Sequence, residues 1–254
     1  MITDLRIISN FRIKVAIGQL EAHILLMLKL TPILLAVIYG LVMYRFSVWR
    51  TRAELDAKST QLDDPKLQHV LDQMAAALDL DRIKVFVYEI AQVNGLAAPD
   101  GRIFITRGFM DKFKAGKVTA DEMASVIAHE LGHVALGHSR RRMIDFSGQN
   151  AIRVVLSMFL GRILPGVGVY LANFLTTMIG ARLSRGDEYE ADAYAAALLT
   201  KSGIGTQAQK SLFTKLETLT GASGQPLAWL MSHPKTQMRI AAIEKLENKW
   251  TVLH

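Results

Sequence analysis

Residues 119–138 read TADEMASVIAHELGHVALGH. Thr119 followed three residues later by Glu122 is a capping box, in which side chain and backbone at a helix start satisfy one another's free N–H groups. The pattern predicts a helix opening at Thr119 and running to about Arg140. On that helix His129 and His133 lie four residues apart on one face, so both imidazoles point at one spot. Two neutral imidazole nitrogens suit Zn²⁺, and Glu130 beside them can reach a water held there. A metal lowers the pKa of such a water towards neutrality, and a carboxylate can take its proton and later hand it to a leaving amine. Chance would produce this pattern in roughly 1% of chains of this composition, so two ordinary surface histidines explain it poorly.

Two imidazoles need a third ligand. A Gly and a His seven and ten residues after the first His would supply one in a known zincin pattern, but those positions hold Leu136 and Ser139. His138 lies half a turn from His129 on a continuous helix and reads as a surface or packing residue. Further on, SRGDEYEAD at 184–192 offers Glu188 as a ligand. Asp192, one turn later on the same face, would accept a hydrogen bond from a ligating imidazole. Glu190 points about 160° away from Glu188 on an ideal helix and is the weaker candidate. The chain has no cysteine. Disulfide frameworks, thiolate zinc sites and thiol nucleophiles are therefore excluded, and any metal site is built from His, Asp and Glu.

Outside these segments the chain of 254 residues is half apolar and 21% charged, which excludes wholesale disorder. Its formal charge is +7. The arginines gather beside apolar runs, at Arg45, Arg50 and Arg52 and again at Arg140, Arg141 and Arg142. That placement fits a membrane surface, and no nucleic-acid-reading motif competes with it. Residues 1–23 form a basic and apolar segment. Ile24 to Tyr44 is apolar apart from Lys29, and a bilayer needs about 20 such residues. Residues 24–49 are thus expected to form a transmembrane anchor. Three basic residues precede it (Arg6, Arg12, Lys14) and four follow (Arg45, Arg50, Arg52, Lys58). This bias favours a cytoplasmic body, with a periplasmic one as the alternative.

Residues 50–64 read as a linker and 65–254 as one domain. Pro65 opens a helix with Leu67, Val70, Leu71, Met74 and Leu78 at helical spacing. Ile83 to Ile90 and Arg102 to Thr106 read as strands. Residues 151–183 form an apolar hairpin or flap broken at Pro165-Gly166, and helices are expected at 187–199, 206–220 and 235–248. The fold class is α+β, mainly α, with a small antiparallel sheet.

Four segments in order carry a family resemblance: NGLAAPDGRIFITR at 94–107, HELGH at 129–133, SRGDEYEAD at 184–192, and Ser232-His233-Pro234 with Arg239. Over residues 60 to 250 the chain resembles the HtpX-like and BepA-like zinc metallopeptidases, gluzincins related to the CAAX-prenyl endopeptidases. The resemblance implies a zincin-type domain holding one Zn²⁺ on His129, His133 and Glu188, with Glu130 as general base and Asp192 behind a ligand. It makes His233 a donor to the oxyanion, whereas the residues alone leave open a helix-start His before Pro234. It places an edge strand near Arg102 to Thr106 to pair with an extended polypeptide, with Asn94, Ala97, Ile103, Ile105 and Arg239 at the substrate site. It also implies misfolded membrane or envelope proteins as substrates and an inner-membrane location. The chain departs from the family at Gly95, and it shows one clear span ahead of the histidines where HtpX-like members have two. The reading from another class is a chaperone-like scaffold with a structural or latent zinc site. An intact Glu130 argues against that, because a structural site needs no base.

Overall fold

Val85 to Tyr88 has the sequence VFVY, and its two faces have different partners: Val85 and Val87 are buried, whereas Phe86 and Tyr88 are half-buried. This strand lies in a four-stranded sheet within a computed structural model that describes residues 19, 27, 31, 34–35, 37–98, 100–219 and 236–252. The strands are β1 (Ser59–Gln61), β2 (Val85–Tyr88), β3 (Gly95–Ala97) and β4 (Ile103–Thr106), in the spatial order β1-β2-β4-β3. β1 and β3 run antiparallel to their neighbours, but β2 and β4 are parallel, with Val85 opposite Ile103 and Tyr88 opposite Thr106. The sheet is therefore mixed, not antiparallel. β4 occupies an interior position, and all four of its residues are buried. The edge strand expected at Arg102 to Thr106 is instead β3.

The helices are α1 (residues 37–57), α2 (Pro65–Ala77), α3 (Arg107–Lys114), α4 (Ala120–Ala135), α5 (His138–Ile163), α6 (Gly168–Lys201), α7 (Gln207–Leu219) and α8 (Thr236–Val252). The domain is mainly helical with a small sheet, as the sequence predicts. α4 is the central element. Its residues from Glu122 to Glu130 are all buried, and it packs against α2, α6, α7 and the β3–β4 edge. The capping box is formed as predicted. Glu122 also accepts from Ser211 at 2.6 Å and Lys215 at 2.8 Å, which fastens α7 to the start of α4. Burial opposes the charge on Glu122, but Lys215, Ser211 and the Thr119 backbone outweigh it and hold its pKa below the usual value.

Three boundaries differ from the sequence reading, each for a local reason. α4 stops at Ala135, short of Arg140, because Gly137 takes φ 71° and turns the chain. Only glycine enters that left-handed conformation without steric cost. The stretch read as a linker at 50–64 is helical to residue 57 and then forms β1. There Leu55 is buried with Phe104 and Ala98 on the outer face of the sheet, Tyr88 donates to Glu54 at 2.8 Å, and Arg102 pairs with Asp56 at 2.6 Å. The apolar region and the following acidic helix are not separate: α6 is one helix of 34 residues.

The first half of α6 pairs with α5 as a hairpin, whose tip closes where Gly168 meets the backbone of Leu160. Met158, Phe159, Tyr170, Phe174 and Met178 on this hairpin are exposed, as are Leu41, Phe46 and Trp49 on α1. Among the described residues no helix is long and apolar enough to cross a membrane. Of the anchor expected at 24–49, residues 24–26, 28–30, 32–33 and 36 lie outside the described residues, as does nearly all of 1–23.

Candidate metal centre

The turn at Gly137 and the crossing of α4 with α6 build the site. Gly132, inside the HELGH segment, makes the crossing close. A Cβ there would sit 3.0 Å from the Cα and carbonyl oxygen of Ala191 and 3.2 Å from Tyr194 Cβ. α6 can therefore lie directly on the face of α4 that carries the histidines, and it delivers Glu188 to them. Gly132→Val is expected to force the helices apart, at a cost of about 1–3 kcal/mol typical of overpacking. A thermal melt with metal analysis should show a lower transition and substoichiometric metal. Unchanged values would mean that the α4–α6 contact does not hold Glu188 in place.

His129 Nε2 and His133 Nε2 are 3.1 Å apart. Glu188 reaches the first through Oε2 at 3.4 Å and the second through Oε1 at 3.5 Å. All three side chains are buried. Three ligands on a tetrahedral zinc at 2.0–2.1 Å would be separated by about 3.3 Å, so this triangle has the dimensions of three corners of such a site. The donor set is equally apt, since two imidazole nitrogens and a carboxylate with an open fourth position form a catalytic zinc pattern. Charge agrees as well. Glu130, Glu188 and Asp192 are buried carboxyl groups, Arg239 is a buried guanidinium, and a divalent cation would complete the balance of these four.

Behind the triangle, His129 Nδ1 donates to Asp192 Oδ1 at 2.9 Å, which leaves Nε2 as the nitrogen that would give up its proton to a metal. Asp192 is in turn gripped by Arg239 through Nε and an Nη2 nitrogen, both at 2.6 Å, and the guanidinium lies 4.2 Å over the Phe213 ring. Burial pushes Asp192 up, yet Arg239 and His129 hold it at about 2, so it stays ionised. Burial likewise opposes charge on His129, but the Asp192 and Glu188 carboxylates outweigh it and raise its pKa to about 9. The pocket attracts positive charge at the point where the ligand atoms converge.

The structure brings together His129, His133 and Glu188, with Asp192 against His129, and Glu130 is buried next to His129 on the same helix. Arg239, expected at the substrate site, is fully buried and touches Asp192 instead, behind the candidate ligands. Ile103 and Ile105 are core residues of an interior strand, and their side chains have no access to a substrate. Ala97 ends the edge strand that packs on α4 and Asn94 immediately precedes it, pinned through its backbone to Thr106. His233 lies outside the described residues. His138, read from the sequence as a surface or packing residue, is buried with its Nδ1 3.0 Å from His133 Nδ1.

Residues 61–247 match peptidase family M48. The chain belongs to that family. Within it, the chain is 33% identical to the metalloprotease LoiP of Escherichia coli over 153 residues, covering 60% of this chain and 58% of the relative. Metalloprotease YcaL of the same organism is 34% identical over the same shares. A protease HtpX homologue of Chlorobium luteolum is 25% identical over 77% of each chain. Like the beta-barrel assembly-enhancing proteases that it also matches, these are named as proteases. The chain spans a little under three fifths of LoiP and of YcaL. The crystal structure of Saccharomyces mikatae Ste24p superposes with a TM-score of 0.52 at 21% identity, over 82% of this chain and 55% of that one, a likeness of fold. The M48 match takes in both histidines, Glu188, Asp192 and Arg239.

Proposed function

We propose that this M48 protein is a membrane-anchored zinc-dependent endopeptidase that hydrolyses peptide bonds in misfolded membrane or envelope proteins. The observation that carries the reading is the buried triangle of His129, His133 and Glu188, with edges of 3.1–3.5 Å. When bound there, zinc would polarise a scissile carbonyl and make an attacking water acidic. The protein's own groups supply the rest. Glu130 takes the proton from the attacking water and returns it to the leaving amine. Asp192 holds His129 in the tautomer that presents Nε2, and Arg239 keeps Asp192 ionised. β3 offers its outer edge to an extended substrate, with Asn94 and Ala97 beside it. His233 is assigned to the oxyanion, where a donor aimed at developing charge would act.

Membrane attachment is supported by the apolar side chains that α1 and the α5–α6 hairpin leave exposed, flanked by Arg45, Arg50 and Arg52. On this reading the protein sits at the inner membrane with its catalytic domain cytoplasmic, and the periplasmic face is the alternative. Metal removal tests the core of the proposal. Detergent-purified protein is expected to cleave casein, to lose cleavage after dialysis against a chelator, and to recover it with one equivalent of Zn²⁺. Cleavage that survives complete zinc removal would refute the assignment.

A further inference from the structure

We infer that His138, held by Glu190, is a positioning residue that fixes the metal ligand His133, an inference that rests on the zinc reading above. His133 Nδ1 and His138 Nδ1 lie 3.0 Å apart, and His138 Nε2 lies 3.1 Å from Glu190 Oε2. With both imidazoles neutral, the hydrogen-bond pattern allows one consistent assignment. Glu190 accepts from His138 Nε2–H, so His138 Nδ1 carries a lone pair and accepts from His133 Nδ1–H. The lone pair of His133 Nε2 then faces His129 and Glu188, where a metal ligand needs it. His138 thus does for His133 what Asp192 does for His129, with an imidazole in place of a carboxylate.

Its place in the fold explains why a histidine can do this. His138 is the first residue of α5, directly after the left-handed Gly137, and its ring lies against His133 of the helix before the turn. It is fully buried. Asp187, 4.0 Å from His138 Nε2, is also paired with Arg141 of α5. The base of the hairpin, where α5 leaves α4 and α6 returns with Glu188, is thereby tied to the orientation of a metal ligand. The two halves of the relay differ in weight. Glu190 is exposed, so water can replace its acceptor oxygen, whereas His138 meets His133 Nδ1 where both side chains are buried.

His138, Asp187 and Glu190 also meet the geometric requirement for a metal cluster of their own, and the test must separate that possibility. Zinc stoichiometry and affinity are measured by competition with a chromophoric chelator on wild type, His138→Leu and His138→Asn. Melting of the metal-free proteins is followed in parallel. The wild type is expected to bind one zinc. His138→Leu should bind it roughly 10–100-fold more weakly, the usual cost of losing an outer partner. His138→Asn, whose amide oxygen takes the place of Nδ1, should recover most of that loss even if its metal-free melting matches that of the Leu variant. The visible bands of the cobalt-loaded protein should change in His138→Leu and be restored in His138→Asn. If the Leu variant does not fold, His138→Gln serves, because its amide reaches the Nε2 position and withdraws the acceptor that His138 Nδ1 offers to His133. Unchanged zinc affinity in His138→Leu or His138→Gln would overturn the inference while leaving the zinc site intact. Two zinc ions per wild-type chain, falling to one in those variants, would overturn it in favour of a second metal site. A wild type that binds no zinc would refute the metal reading and this inference with it.

Discussion

Glu130→Gln is expected to leave one zinc bound per chain and to lower casein cleavage by about 10²–10⁴-fold, the range over which a positioned base acts. Gln keeps the size and polarity of the side chain but cannot accept a proton. Glu130 is 2% exposed and lies one residue from His129 on a helix that is buried along this stretch. Any loss should therefore come from the missing base and not from a collapsed site. Zinc analysis, circular dichroism and initial rates on the same preparations check it. Full activity in the variant would move the base elsewhere. Loss of zinc together with activity would make Glu130 a structural residue and would favour the scaffold reading.

Arg239→Leu should have the largest effect on stability. It strands the carboxylate of Asp192, which is 1% exposed and receives two hydrogen bonds of 2.6 Å from Arg239. Breaking one partner out of a buried ion pair costs about 3–5 kcal/mol. The loss should extend to the metal, because Asp192 no longer has a fixed position from which to orient His129, and zinc affinity should fall roughly 10–100-fold. Arg239→Lys should not rescue either property, since an ammonium cannot reproduce the two-pronged contact. Pairing Arg239→Leu with Asp192→Asn removes the stranded charge. That double variant should recover much of the folding free energy but not the zinc affinity. Urea unfolding of the metal-free proteins and chelator competition separate the two terms. A fully stable Arg239→Leu protein would show that the pair contributes nothing net.

Much of the site is legible in the chain because its determinants are local. Thr119 and Glu122 are three residues apart, His129 and His133 four, and Glu188 and Asp192 four. Each spacing places side chains on one helical face whatever the rest of the fold does. What was misread depended on partners distant in sequence. The resemblance puts Arg239 at the substrate site, whereas α8 lays it against Asp192 and Phe213. Ile103 and Ile105 look like an exposed edge until β3, formed by only three residues, pairs outside them. A three-residue strand carries too little periodicity to announce itself.

His138 shows the division most clearly. On the continuous helix implied by periodicity it faces away from His129, and that geometry would be correct had the helix continued. Gly137 ends it with one left-handed residue, and beyond that turn His138 lies against His133. The sequence alone determined the helix, its cap, the paired imidazoles and the candidate third ligand, because short-range spacing and backbone hydrogen bonding fix those. The tertiary structure decided which strand forms the sheet edge, what stands behind each ligand, and how closely α6 approaches α4. Those outcomes depend on a single glycine conformation and on packing between segments dozens of residues apart, where no local pattern operates.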